Sequence, residues 1–220
     1  MTQWNRTRLP LRMAMLLVGI YLMGLGVALF VKSDTGTTPI VSLPFVLNQI
    51  FPAVSLGTFN FLFNVVFFVG QFVAIPRSFS WDKFLQIIPN ALLGIAIDGN
   101  GLLLSHLKLE SYGQQLLAMA GGCLALGLCI ALMVSANVIL MPIDAFISTL
   151  ARRSGLAWGN TKCILDVIMV VMAAGLGLLF LGRIVGVREG TLVAALTVGQ
   201  LSRLFRPATD LLAGPAAQQV

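Results

Sequence analysis

The segment GLCIALMVSANVILMPI, from Gly127 to Ile143, decides how the chain is read. An uncharged run ends in small and polar residues, and a proline then restarts the chain. Asp144 follows at once. The same design occurs earlier as GLGVALFVKSDTGTTPI, from Gly24 to Ile40. One constant register sets Gly24 over Gly127, Ala28 over Ala131, Val31 over Val134 and Pro39 over Pro142. Matches among Leu, Ala and Val are cheap in an apolar chain. The glycine and the proline carry the comparison.

Working outward, the surroundings of both segments are apolar. The chain is 58% hydrophobic and 10% charged over 220 residues, and its mean hydropathy is +0.94. Four long apolar runs stand out: Met13 to Val31, Leu56 to Ile75, Gln114 to Asn137, and Cys163 to Gly182, broken only by Asp166. Runs of about 20 apolar residues match the thickness of a bilayer core at helical rise. One such run could be the buried helix of a soluble protein. Four in a chain of this length leave too little polar surface to cover them. The expectation is an all-α polytopic membrane protein whose first partner is the lipid bilayer.

Arg6, Arg8 and Arg12 precede the first run as they would in a signal peptide. The run is too long for one, and no small-residue cleavage site follows. The net charge of +6 is spread over segment ends. That pattern is a topology signal and points to no nucleic acid. Cys123, Cys129 and Cys163 lie in apolar runs without metal-ligand spacing. Neither a metal nor a cofactor is implied. Lacking HExxH, GxSxG and P-loop motifs, the chain is not expected to be an enzyme or an ATP-driven pump.

The two-part reading extends further. After a slip of one residue, LGTFNFLFNVV (Leu56 to Val66) lies over WGNTKCILDVI (Trp158 to Ile168). Gly57 then matches Gly159, Asn60 matches Lys162 and Asn64 matches Asp166. Asn90 to Asp98 lies more loosely over Ala195 to Arg203, sharing Gly94 and Gly199. Two repeats are expected, 12–108 and 114–206, with short tails at 1–11 and 207–220.

These motifs resemble the YczE branch of the YczE/YyaS/YitT family of bacterial membrane proteins. That family carries, twice per chain, an apolar helix, a small-residue turn, a proline-led short helix, and then G-x-x-R-x-x-x-E opening the next helix. Pro142-Ile143-Asp144 and Gly159-x-x-Lys162-x-x-x-Asp166 match the second copy, with Lys for Arg and Asp for Glu. In the first copy Pro39 and Gly57 match, but Val41 stands where an acid is common. Asn90-Ala-Leu-Leu-Gly94 with Ile97-Asp98 also fits. The resemblance implies an inner-membrane, transporter-like protein and indicates no substrate.

Each repeat reads as three long helices and one short or broken one, at about 39–51 and 142–153. Twelve or thirteen residues reach only about 18–20 Å at helical rise, short of a core about 30 Å thick. If the short segments re-enter, each repeat crosses three times and the repeats are inverted. If they span, the repeats are parallel. Both readings keep most Lys and Arg on the side of the two termini, expected to be the cytoplasmic side of a bacterial inner membrane. Charge does not separate six crossings from eight.

Pro39 and Pro142 suit the first position of a helix, where a missing N–H costs nothing. Asp144 then lies in a first turn, where the helix dipole favours a carboxylate. Asp144 also qualifies as a polar group at a broken helix, where transporters hold solutes and ions. Lys162 and Asp166, four apart, share a helix face and can pair. An aspartate inside a span costs about 2.5–3.5 kcal/mol on the lenient scale, so Asp166 is expected to face an interior. Asn60 and Asn64, with Gln71, form the matching stripe in the first repeat, and Asn90, Gly94 and Asp98 share one face of its fourth segment. Two functions fit. One is a permease or secondary transporter for a small molecule or ion. The other is a structural or regulatory membrane protein, in which these side chains only join helices. A homo-oligomer is compatible with either.

Overall fold

A computed structural model describes residues 8–74 and 81–214. The parts of the expected tails at 1–7 and 215–220 lie outside the described residues. The described residues form eight α-helices: α1 (Leu9–Ser33), α2 (Pro39–Ile50), α3 (Leu56–Ala74), α4 (Ile87–Leu103), α5 (Tyr112–Ala136), α6 (Pro142–Ser154), α7 (Trp158–Leu181) and α8 (Glu189–Ala213). A 3-10 turn, Trp81–Gln86, leads into α4. Four of the helices, α1, α3, α5 and α7, are long and apolar enough to cross a membrane. They coincide with the four apolar runs. The protein is an all-helical membrane protein.

Local chemistry sets the helix ends. Pro39 and Pro142 each occupy the first turn of their short helix, preceded by extended Thr38 and Met141. The helices before them end in matching ways. Asp34 and Asn137 close α1 and α5 in the left-handed region, at φ 52° and 46°, which Asp and Asn tolerate better than other side chains with a Cβ. Two boundaries differ from expectation. α1 begins at Leu9, because Pro10 fits its first turn. α8 continues through Pro207 to Ala213, so residues 207–213 are helix and not tail. Tertiary bonds hold that extension: Ser135 Oγ on α5 lies 2.8 Å from Thr209 Oγ1 and donates to Asp210 Oδ1 at 2.5 Å.

The contacts fix helix directions. α1 and α5 cross at the centre, where their glycines let the backbones approach. Gly26 faces Gly122 and Leu126, whereas Gly19 faces Cys129 and Met133. Numbering rises along one helix as it falls along the other, so α1 and α5 are antiparallel. α4 runs parallel to α1: Gly24 sits on Ala96, and Lys32 Nζ donates to the Ser105 carbonyl at 3.1 Å. α8 runs parallel to α5, with Gly127 on Leu201 and Ser135 on Thr209. α3 opposes α4, with Gly57 near Gly94 and Asp98, and Gln71 bonded to Gln86.

One face of the bundle, face A, therefore carries the ends of α1, α4 and α7 and the start of α3. The end of α7 is placed there by Thr37, whose N–H donates to Gly186 at 2.8 Å. The opposite face, face B, carries the ends of α3, α5 and α8 and the start of α7. Three long helices in each half run in opposite senses to their register mates. Both ends of α2 lie toward face A, and both ends of α6 toward face B. α6 meets α3 only near that end: Phe146 packs on Phe67 and Gly70, Pro142 O accepts from Gln71 Nε2 at 3.1 Å, and Arg153 Nη1 donates to Ala74 O at 2.9 Å. The short helices turn back within the bundle.

Short and long helices exchange partners between the halves. α2 packs on α7, and α6 packs on α3. The short helices supply core residues out of proportion to their length, including Val41, Leu43 and Val46 from α2 and Ile143 and Ile147 from α6.

Candidate functional site

Asp144 sits in the first turn of α6, with Pro142 two residues before it. Among the described residues its carboxylate forms no hydrogen bond and no close ion pair. Its charge acts on Lys162 and Asp166 of α7 and on Cys129 of α5. Asp144, Lys162 and Asp166 therefore belong to the packed pair α6 and α7. Lys162 Nζ holds Asp166 in a two-point contact, 2.8 Å from Oδ2 and 3.1 Å from Oδ1. The side chains are 32% and 20% exposed. Lys162 pairs with one carboxylate only, which leaves the Asp144 carboxyl group beside the pair without a bonded partner among the described residues.

The α7 helix explains this placement. Thr161, Leu165, Met169 and Ala173 form its buried stripe at four-residue spacing. Lys162 and Asp166 flank that stripe. Leu165, next to Asp166 in the chain, belongs to the core.

The first-half candidates form a second group. Asn60, Asn64 and Asn90 are buried. Asn64 Nδ2 donates to Asn60 O at 2.9 Å within its own helix. Asn90 Nδ2 reaches across to Phe61 O at 3.1 Å. Asn60 Nδ2 and Asn90 Oδ1 have no hydrogen-bond partner among the described residues. Among the described residues, no hydrogen bond joins this group to the Asp144 cluster. Asp98 serves the start of α3. Its Oδ2 accepts from Ser55 Oγ at 2.6 Å and its Oδ1 from the Gly57 N–H at 2.7 Å. An acidic group there satisfies N–H groups left open at a helix start. Asp34, likewise, is a surface turn residue paired with Arg188 at 3.6 Å.

Some polar residues gained importance only in three dimensions. Gln71 is fully buried and ties α3 both to Pro142 of the other half and to Gln86. Its place on the Asn60–Asn64 stripe was its one sequence signal. Thr35 and Thr37 are buried in the turn before α2. Gly190 N–H donates to Thr35 O at 2.8 Å, and Thr37 Oγ1 donates to Gly186 O at 3.0 Å. The polar SDTGTTP composition was their signal. Nothing in the sequence marked Cys129.

A cavity of about 410 Å³ lies beside the turn between α6 and α7, lined by Ser148, Ala151, Arg152, Gly155, Leu156 and Trp158. A second, of about 190 Å³, lies around Leu165, with Ser154 and Thr161 among otherwise apolar lining residues. None of the candidate polar residues lines either one. No group of three metal-ligating side chains occurs among the described residues.

Fold and site together define a multi-helix membrane protein with a charged cluster at the start of a half-length helix. Over residues 10–207 the chain matches the family of unknown function DUF6198, and it belongs to that family. No curated protein and no solved structure matches it.

Proposed function

We propose that the protein is a secondary transporter or permease for a small solute or ion, with its pathway between two inverted halves. The observation that carries this reading is the carboxyl group of Asp144, unpartnered among the described residues, beside the Lys162–Asp166 pair. A lone carboxylate in an apolar slab is costly. Its retention at the start of a half-length helix matches where transporters bind solutes and ions. The resemblance to the YczE branch belongs to the same reading. So does a bacterial inner membrane with face B cytoplasmic, the face that collects Arg8, Arg152 and Arg153. A structural role is the second reading. It is favoured by Asp98 and Gln71, whose polar atoms are committed to helix–helix bonds.

Cysteine accessibility separates the two. Asp144→Cys and Asn64→Cys are made in a chain without its three native cysteines and reconstituted in liposomes. A pathway requires both positions to react with a small, membrane-impermeant thiol reagent. If neither reacts, the interface is dry and the transport reading fails.

A further inference from the structure

The seam between α3 and α4 is closed, and its register counterpart between α7 and α8 is open. In the first half Gly57 lies against the Gly94 carbonyl, and a methyl group on Gly57 would come within 2.6 Å of Asp98 Oδ2. Asp98 latches this seam through Ser55 and Gly57, and Asn90 through Phe61. In the second half Gly159 and Gly199 occupy the corresponding positions. A methyl group on either would meet nothing within 4 Å, and α7 and α8 do not pack together.

The other packing is balanced. α1, α4, α5 and α8 hold together through α1–α4, α1–α5 and α5–α8. α2, α3, α6 and α7 hold together through α2–α3, α2–α7, α3–α6 and α6–α7. Each group takes two helices from each half. The α3–α4 seam is the main packing between the groups, so the second group leans on α4 and meets α8 more lightly, through α2 and the turn before it. If the halves are inverted equivalents, nothing in the backbone favours one lean over the other.

We propose that these two four-helix groups rock against each other, and that this structure is one of two end states. In the other, Gly159 closes on Gly199 while Gly57 parts from Gly94 and Asp98 releases the start of α3. The moving boundary runs past the Asp144 cluster on one side and the Asn60–Asn90 group on the other. Rocking of one bundle against another about a fixed site is a known route to alternating access. This inference rests on the transport reading and supplies its motion. The bare glycines at the open seam are then explained as a contact made in the other state.

The test uses the full chain in liposomes without its native cysteines. A disulfide needs Cα atoms within about 7 Å, so Gly159→Cys with Gly199→Cys should cross-link within one chain only when the open seam closes. Rocking predicts that the cross-link forms under mild oxidant. It also predicts loss of the cross-link when Ser55→Cys and Asp98→Cys first lock the other seam by a disulfide. No cross-link, or an equal yield with and without the lock, overturns the proposal. Spin labels at exposed Asn160→Cys and Leu204→Cys provide a check that leaves both seams intact. Two distance populations support rocking, and one narrow population overturns it. If Asp144→Cys and Asn64→Cys react with the thiol reagent while the seams stay fixed, only the rocking fails. If they are unreactive, the pathway fails with it.

Discussion

Gly57→Ala and Gly159→Ala are the same change at register-matched positions, and the structure gives them opposite signs. At Gly57 the new methyl group meets the Gly94 carbonyl and the Asp98 carboxylate, neither of which is the end of a flexible chain. Forcing an extra group into tight packing costs about 1–3 kcal/mol. Separating the helices also weakens the bonds from Ser55 and the Gly57 N–H to Asp98, and hydrogen bonds to charged groups are worth about 1.5–3 kcal/mol each. Against this, alanine gains about 0.5–1 kcal/mol over glycine in a helix. The net loss is about 2–4 kcal/mol. At about 2–4 °C per kcal/mol for a chain of this size, the apparent Tm should fall by roughly 5–15 °C. At Gly159 only the helix gain applies, and the Tm should rise by about 1–4 °C. Both variants are melted in one detergent and followed by loss of the monodisperse peak. Equal shifts of the same sign would refute the asymmetry between the seams.

Asp166→Ala and Lys162→Ala should not add. Each leaves one half-buried charge alone, so the double variant should be less harmful than the sum by roughly 1 kcal/mol, above the few tenths expected of an exposed helix pair. Additive melting shifts would show that the pair contributes nothing. Gln71→Leu strands the Pro142 carbonyl that ties α6 to α3, and should cost about 1–3 kcal/mol in the same assay; an unchanged Tm contradicts that bond. Asp98→Asn keeps the shape and removes the charge from the start of α3, for a loss of about 1–2 kcal/mol. A neutral result would mean that the carboxylate is not needed there. Lys32→Cys and Ser105→Cys should be labelled from the same side of sealed vesicles, since the Lys32 side chain reaches the Ser105 carbonyl; labelling from opposite sides would restore an eight-crossing chain.

Much of this was legible in local pattern. The apolar runs predicted the four long apolar helices, because a bilayer demands continuous apolar length. Pro39 and Pro142 predicted two helix starts, because proline lacks only an N–H that a first turn does not use. Spacing alone predicted the Lys162–Asp166 contact, because residues four apart meet on any helix. Between six and eight crossings the sequence was silent, since hydropathy has no direction. The Gly26–Gly122 and Lys32–Ser105 contacts fix helix directions that eight crossings do not allow, and they join residues far apart in the chain. In the sequence Asp98 only shares a helix face with Asn90 and Gly94; in the fold it accepts hydrogen bonds at the start of α3. Its Ser55 and Gly57 partners come from another helix, and no pattern within α4 encodes them. Gly57 and Gly159 are identical in sequence context, yet one is packed and the other open. That difference belongs to how two groups of helices lean, and only the assembled chain determines it.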